Sequence, residues 1–569
     1  MKYRGTPVSA GVVIGKVYLY RRFVPEVPEH PAGDAAAELQ SYLAARQAAR
    51  EELEGLSRRF AAAGDSEKAA IFSAHLEILL DETMDEEIRG GIAGGGSAAG
   101  TAHDVFEQYA ALFEGLKDPI IRERGADLRD VSGRLLRCMA GEPERNLSAL
   151  PEPVIVVASD LTPSDTATLD RTNVLGIVTE VGGTTSHSAI IARSYEIPAL
   201  LGVSGITSAL QNGQEIVLDA ADGVLLTEFT DSDRAAYGKK REELLRRQAR
   251  ARTYLGREAV TPDGVRIAVE LNIASADAQS LEYARYTDGV GLFRSEFLYM
   301  GRSTLPTEEE QFQAYRRVLL TYGDRPVTLR TLDVGGDKPL GCMQLPREDN
   351  PFLGNRALRL CLEHPDLFRT QLRAALRASI YGNLWLMFPM VSSMDDIRRA
   401  KACVARAEAE LTAEGIPFNP KRKLGIMVEI PAIALLADQA AQEVDFASIG
   451  TNDLTQYATA VDRGNPAVAS YYQTYHPALF RLIRYVAQEF SARGKPVGVC
   501  GELGGDPPAA AVLMGLGLRQ LSMGASSVAG IKQMVCSVRC ADAAALAEKV
   551  CGLSTADEVK QYLAEQIRL

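Results

Sequence analysis

No run of apolar residues in this 569-residue chain approaches the ~20 that a membrane span needs. The opening stretch, MKYRGTPVSAGVVIGKVYLY, lacks an apolar core followed by a small-residue cleavage site, so no signal peptide is expected. None of the eight cysteines forms a Cys-x-x-Cys pair, which argues against a disulfide framework and against structural zinc and fits a reducing cytosol. Cys536 and Cys540 lie close in sequence and are expected as two thiols on one helix. Positive charge is in deficit, with 62 Lys and Arg against 74 Asp and Glu, a net charge of -12 and a pI near 5.3. Such a surface repels nucleic-acid phosphates and suits a basic protein partner. The chain also lacks a Gly-x-Gly-x-x-Gly fingerprint, which disfavours an open dinucleotide-binding sheet.

The composition that is present, 46% hydrophobic and 24% charged, is that of a globular protein, and the length implies two to four domains. Residues 1–20 alternate apolar and small residues around glycines and read as short strands. From about Asp34 to Met139 the texture turns helical, with Ile71, Phe72, Leu76, Leu79 and Leu80 on one amphipathic face. The stretch 90-GGIAGGGSAAG-100 reads as a flexible break between helices rather than a phosphate loop, since no strand precedes it and no Gly-Lys-Ser/Thr follows. Strand signals return at 153–159, 174–180 and 214–220, so the first segment and this one are expected to form one α/β domain interrupted by an all-helical insert. The interleaved charges of 231–256 suit a solvated linker helix. Beyond it, eight β-rich runs at 265–273, 289–297, 326–334, 384–391, 424–431, 445–451, 496–502 and 520–525 alternate with helical patterns. That rhythm predicts a (β/α)8 TIM-type barrel. The expected plan is therefore a multidomain α/β protein: an α/β domain from 1–20 and 145–230, a helical insert over 21–144, a linker helix over 231–256 and the barrel over 257–569.

Active sites of such barrels lie at the carboxyl ends of the strands. The residues ending the runs are Asn272, Arg294, Arg330 with Asp333, Glu429, Asn452 with Asp453, and Cys500 with Glu502. Arginine forks pair bidentately with phosphate or carboxylate. Glu429 and Asp453 end the fifth and sixth runs and could share one ion; Mg²⁺ typically takes one or two protein carboxylates and leaves the rest to water and substrate oxygens. No histidine lies near these ends, which disfavours zinc, and His364 and His476 each precede a proline in loop contexts. Any one of these residues has an ordinary structural explanation, and a strand cysteine is commonly core filler. Their convergence is what points to an anionic substrate.

In 182-GGTTSHSAIIARS-194 the glycines allow a tight turn, Ser186 can cap a helix starting at about His187, and Thr184 and Thr185 offer hydroxyl donors. A phosphate on His187 would then lie near a helix N-terminus, where N–H groups and the macrodipole favour anions. An imidazole is largely neutral, and so nucleophilic, near pH 7.

The segments 181-VGGTTSHSAIIARSYEIPAL-200 and 446-FASIGTNDLTQYATAVDRGN-465 resemble the two signatures of enzyme I of the bacterial phosphoenolpyruvate:sugar phosphotransferase system. The runs 291–300, 330–339, 351–359, 427–431 and 499–506 are similar to further blocks of that family, in the family's order and over essentially the whole chain. Ser295 stands where the family often has Thr, and Asn355 where an aromatic is common. The resemblance implies autophosphorylation of His187, through Nε2, from phosphoenolpyruvate. Arg294, Arg330, Arg463 and Asn452 would bind substrate together with Asp453, Mg²⁺ would sit on Glu429 and Asp453, and Cys500 would protonate enolpyruvate. It further implies transfer to the carrier protein HPr docked on the helical insert, with 77-EILLDETMDEE-87 as the expected docking helix, in a cytoplasmic homodimer joined through the barrel. Because the histidine and the barrel belong to different domains, a swivel about the segments flanking the helical insert and about the 231–256 linker is expected. Related dikinases and synthases carry an ATP-binding domain for which this length leaves no room. The alternatives are a nitrogen-type regulatory phosphotransferase, which usually adds a sensory domain, and a non-catalytic barrel scaffold.

Overall fold

A computed structural model describes the chain apart from residues 21–33, 63–65, 116–118, 143–146, 148–149, 151, 162–164, 166–168, 170–171, 183–186, 196, 301, 303, 336–342, 344, 347 and 568–569, and apart from some further side chains, His187 among them. The chain divides into two compact units, Met1–Arg246 and Arg247–Leu569.

In the first unit an eight-stranded mixed sheet draws on both ends of the segment. Its strands are β1 (Lys2–Arg4), β2 (Thr6–Ser9), β3 (Val12–Tyr20), β4 (Val154–Ala158), β5 (Val174–Thr179), β6 (Ala199–Leu201), β7 (Glu215–Asp219) and β8 (Val224–Leu226). They lie in the order β1-β8-β7-β3-β4-β5-β6-β2. β3 runs parallel to β4 and antiparallel to β7, so β3 sits in the middle of a sheet completed more than 130 residues later, while β1 and β2 form its edges. Between β3 and β4 come helices Ala35–Ala62, Ser66–Leu79, Glu82–Ala93, Ala98–Gly115 and Pro119–Met139. They share a separate core that includes Leu53, Phe72, Ile88, Ala102 and Leu135.

Two expectations for this insert change. The acidic stretch 77–87 is not one helix: the chain breaks at Asp81, whose carboxylate caps the next helix by accepting from Met84 N at 2.9 Å. The glycine-rich stretch does hold the break between helices, but only over residues 94–97, and its first glycines make a tight helix–helix contact instead. Gly90 and Gly91 lie inside helix Glu82–Ala93, and a Cβ on Gly91 would meet Thr101 Cγ2 at 2.4 Å. Glycine there lets two helices approach closely.

The second unit holds a closed barrel of eight parallel strands: β9 (Ala268–Ile273), β10 (Val290–Arg294), β11 (Pro326–Arg330), β12 (Asn383–Phe388), β13 (Lys423–Val428), β14 (Phe446–Ile449), β15 (Val497–Val499) and β16 (Gln520–Met523). Six of the eight fall inside the expected runs, and β12 and β13 begin one residue before theirs. Residues alternate between the barrel interior and the surrounding helices. Leu292, Trp385, Met387, Met427, Phe446 and Cys500 form a plug distinct from the larger core. Trp385 and Phe446 pack with ring centroids 4.8 Å apart, and the Lys423 ammonium lies 4.1 Å from the Trp385 ring. Cys536 and Cys540 do not share a helix, because one helix ends at Ser537 and the next begins at Cys540.

The charged segment forms helix Asp231–Arg252, with no buried residue, as its composition suggested. Its first half is tied to the sheet of the first unit: Arg234 pairs with Glu215, and Lys240 with Asp219 and Asp222.

Candidate active site

The barrel mouth gathers the residues read from the strand ends, with each strand's last residues or the turn beyond carrying one. Arg294 closes β10 half-buried and, among the described residues, has no ion-pair partner. Arg330 closes β11 and is buried. Its Nη1 lies 2.8 Å from Asp333 Oδ2, and its Nη2 donates to Glu296 Oε1. Burial alone would lower the guanidinium's pKa, but Asp333 and Glu296 outweigh it and hold the charge firmly. Ser295 keeps a hydroxyl where the resemblance led one to expect Thr. Its Oγ donates to Arg330 O at 2.8 Å and accepts from Gln371 Nε2 at 3.0 Å, which fixes the backbone beneath the arginine.

Glu429 follows β13 and is fully buried; one carboxylate oxygen accepts from Met390 N. Met390 holds a positive φ of 53° to aim that N–H, a strained conformation for a non-glycine residue. The other oxygen, Oε2, has no hydrogen-bond partner among the described residues. Burial first, then the charges of Asp453 and Asp333, push the Glu429 pKa well above the carboxylate range. A buried carboxylate oxygen aimed at nothing, beside a second carboxylate, is what a hard cation would relieve. Asp453 lies in the first turn of helix Thr451–Thr459, directly after β14. Its two oxygens face Arg356 at 3.1 Å and Arg463 at 3.4 Å. No group of three or more metal-ligating side chains gathers among the described residues.

Arg356 was not singled out from the sequence, yet it is the most buried cation of the mouth, 1% exposed. Nη2 donates to Asp333 Oδ1 at 2.8 Å and Nη1 to Asp453 Oδ1 at 3.1 Å, so Asp333 is shared with Arg330. It lies in a loop rather than at a strand end, which is why strand counting passed over it, although it stands in the quoted block 351–359. Glu296 was missed for the same reason; it sits in a single 3-10 turn after β10.

Asn452 turns its Oδ1 to Glu502 N at 3.2 Å, which leaves its amide N–H₂ as a donor set for a ligand. Cys500 is 3% exposed just past β15, and burial raises its thiol pKa to about 11. Such a thiol stays protonated at neutral pH, as a proton donor must. Glu502 is exposed beside it.

The histidine motif is visible only in part. Helix His187–Ser194 begins at His187, as expected, and Ser188 Oγ donates to Leu161 O at 3.2 Å. Gly182 takes a φ of 110°, the turn the glycine pair was expected to make. The caps and donors expected of Thr184, Thr185 and Ser186, and the orientation of the His187 ring, lie outside the described residues.

Comparison with known proteins gives the class first. Family models described as PEP-utilising enzyme, N-terminal, mobile domain and PEP-binding domain match residues 4–124, 150–223 and 248–540. The chain is thus assembled from the parts of phosphoenolpyruvate-utilising enzymes. It is 43% identical over 560 residues to the phosphoenolpyruvate-protein phosphotransferase of Bacillus sp. (strain S), covering 98% of this chain and 97% of the relative. The corresponding protein of Geobacillus stearothermophilus is likewise 43% identical over 560 residues, with the same coverage, and that of Bacillus subtilis 40% over 566 residues, covering 99% of each. The chain belongs to the phosphoenolpyruvate-protein phosphotransferase (enzyme I) family.

Proposed function

We propose that this protein takes the phosphoryl group of phosphoenolpyruvate onto His187, releases pyruvate, and passes the phosphoryl group to the HPr carrier to start sugar uptake. The observation that carries this reading is the barrel mouth itself: arginines and a buried, half-unsatisfied carboxylate gathered around a buried thiol. Arg294, with no described counter-ion, and Arg330 and Arg463 bind the phosphate and carboxylate of the substrate, and the Asn452 amide adds a donor. Arg356 belongs with them, holding Asp333 and Asp453 in place. The unprotonated nitrogen of His187 attacks phosphorus in line, a new N–P bond forms, and the P–O bond to enolpyruvate breaks. Carbon 3 of the departing enolpyruvate then takes its proton from Cys500. Glu429 and Asp453, all-oxygen donors with one buried oxygen unsatisfied, would hold Mg²⁺, which when bound neutralises phosphate charge.

The domain boundaries drawn from the sequence, a swivel that lets His187 visit first the barrel and then the carrier, and a homodimer joined through the barrel belong to the same reading. HPr docks on the helical insert. Because Asp85 is already engaged by Arg46 and Arg89, and Glu87 by Tyr109, the surface offered to it is carried by Glu77, Glu82 and Glu86, which are exposed. No helix among the described residues is long and apolar enough to cross a membrane, and a cytoplasmic location fits the free thiols. Incubation with labelled phosphoenolpyruvate and Mg²⁺, with and without HPr, tests the function. Label should appear on the protein as acid-labile, base-stable phosphohistidine and should leave it when HPr is added. A protein that takes up no label would end this reading.

A further inference from the structure

Cys500 lies one residue beyond the reach of the strand pairing that should hold it. β15 is three residues long, and its register with β16 ends at Val499 opposite Leu521. On the other side the Cys500 N–H still donates to Ile449 O, at 3.1 Å. The Cys500 carbonyl has lost its strand partner, and a side chain takes its place: Asn272 Nδ2, from β9, donates to it at 3.0 Å. Asn272 in turn accepts at Oδ1 from Ser522 Oγ on β16, at 2.6 Å. The Cys500 carbonyl settles which end of the amide faces which neighbour. It can only accept, so it takes the N–H₂ group, and the Ser522 hydroxyl, which can donate or accept, donates to Oδ1. Gly501 follows, where a Cβ would lie 1.9 Å from Thr451 Oγ1, so only glycine fits directly after the thiol.

We propose that Asn272 and Ser522 are positioning residues for the Cys500 thiol: together they replace the missing strand bond and fix where the sulfur points. The proposal rests on Cys500 being the proton donor, as argued above. Neither residue needs to touch substrate. A proton delivered to carbon depends on the donor's placement far more than binding does, and a misplacement of about 1 Å costs on the order of 10²-fold. The phosphoryl step involves no carbon protonation and should not share that cost.

Single-turnover experiments on the full-length protein follow two clocks, label arriving on His187 from phosphoenolpyruvate and pyruvate appearing. In Asn272→Leu and Ser522→Ala, pyruvate formation should fall on the order of 10- to 100-fold behind labelling, which changes little. Because Ser522 acts through Asn272, the double variant should be no slower than Asn272→Leu alone. Ser522→Ala removes a single oxygen and serves if Asn272→Leu does not fold. Cys500→Ala is run alongside. If Cys500→Ala leaves the two clocks together, the proton-donor reading fails. If Cys500→Ala separates them while Asn272→Leu and Ser522→Ala do not, the positioning proposal is overturned and that reading stands. Losses that affect both clocks equally, or that appear only in KM, would make Asn272 a packing or substrate-binding residue and overturn the proposal too.

Discussion

The two chemical regions of the molecule are built on opposite principles. At the barrel mouth Arg330, Arg356, Asp333, Glu296, Glu429 and Asp453 are all buried and share one another's charges, so that Asp333 serves two arginines and Asp453 faces two. The α/β domain offers its histidine at the first position of an eight-residue helix, after a glycine turn. A network of buried charges holds a substrate rigidly but transmits every perturbation. A single side chain at a helix start can be changed with little consequence for the rest. Such an arrangement suits a group that must meet two different partners in turn.

The comparison is broken most sharply by function. His187→Ala should abolish labelling from phosphoenolpyruvate while leaving the melting temperature nearly unchanged; undiminished labelling would move the nucleophile elsewhere. Glu429→Gln and Asp453→Asn should slow autophosphorylation sharply and alter its Mg²⁺ dependence. Transfer from pre-phosphorylated His187 to HPr should survive in both. Full turnover after exhaustive removal of divalent ions would refute the metal assignment.

Stability gives the converse contrast. Arg356→Met leaves Asp333 to Arg330 and Asp453 to Arg463, so the loss should lie near the low end of the roughly 3–5 kcal/mol that removing one partner of a buried ion pair costs. Denaturant unfolding should show that loss in the barrel transition. A change below about 0.5 kcal/mol would mean that the mouth is less tightly coupled than its geometry indicates.

Most of this arrangement could be read from the sequence, for a physical reason. Parallel barrel strands are buried on both faces, so they appear as apolar runs, and the residues that end them must converge. Arg294, Arg330, Glu429 and Cys500 were reachable by that rule alone. Arg356, Glu296 and the Met390 N–H were not, because a loop has no period and a backbone donor has no letter in the sequence. The short strands β6 and β8 were missed for want of length. The break at Asp81 was legible in principle, since an Asp three residues before a buried Met is a cap signal. The run of acids on either side concealed it.

Within the barrel, one buried carboxylate stands outside the charge network. Glu270 on β9 has a weak contact from Gln520 Nε2 at 3.4 Å, and burial, with a smaller push from Asp288, raises its pKa to about 8. A carboxyl whose folded pKa is raised binds its proton more tightly folded than unfolded. Its contribution is therefore fully present below the ordinary glutamate value of 4.5 and is lost as pH climbs through about 8. Glu270→Gln cannot titrate, so it should gain on the wild type across that window by about 2–4 kcal/mol and hold the gain above it. Unfolding curves between pH 5 and pH 9 check the sign. A difference that shrinks with rising pH would show Glu270 to be charged and compensated.

The smallest effect concerns where the histidine-bearing unit ends. A fragment stopping at residue 230, where the sheet is complete, looks sufficient by topology, since β8 closes at Leu226. Asp219, however, is 1% exposed, and its Oδ2 is met by Lys240, which lies beyond that end. Its other oxygen accepts from the N–H groups of Ala221 and Asp222, so the loss is partial rather than complete. Glu215 loses Arg234 as well, but that pair is exposed and worth little. A fragment of residues 1–252, which keeps helix Asp231–Arg252, should therefore be the more stable by about 1–2 kcal/mol, mostly through Asp219. Both fragments should exchange phosphoryl groups with HPr, and neither should be labelled by phosphoenolpyruvate, which needs the barrel. Equal melting temperatures would mean that the helix contributes nothing to the unit it touches. Labelling of either fragment by phosphoenolpyruvate alone would remove the substrate site from the barrel mouth.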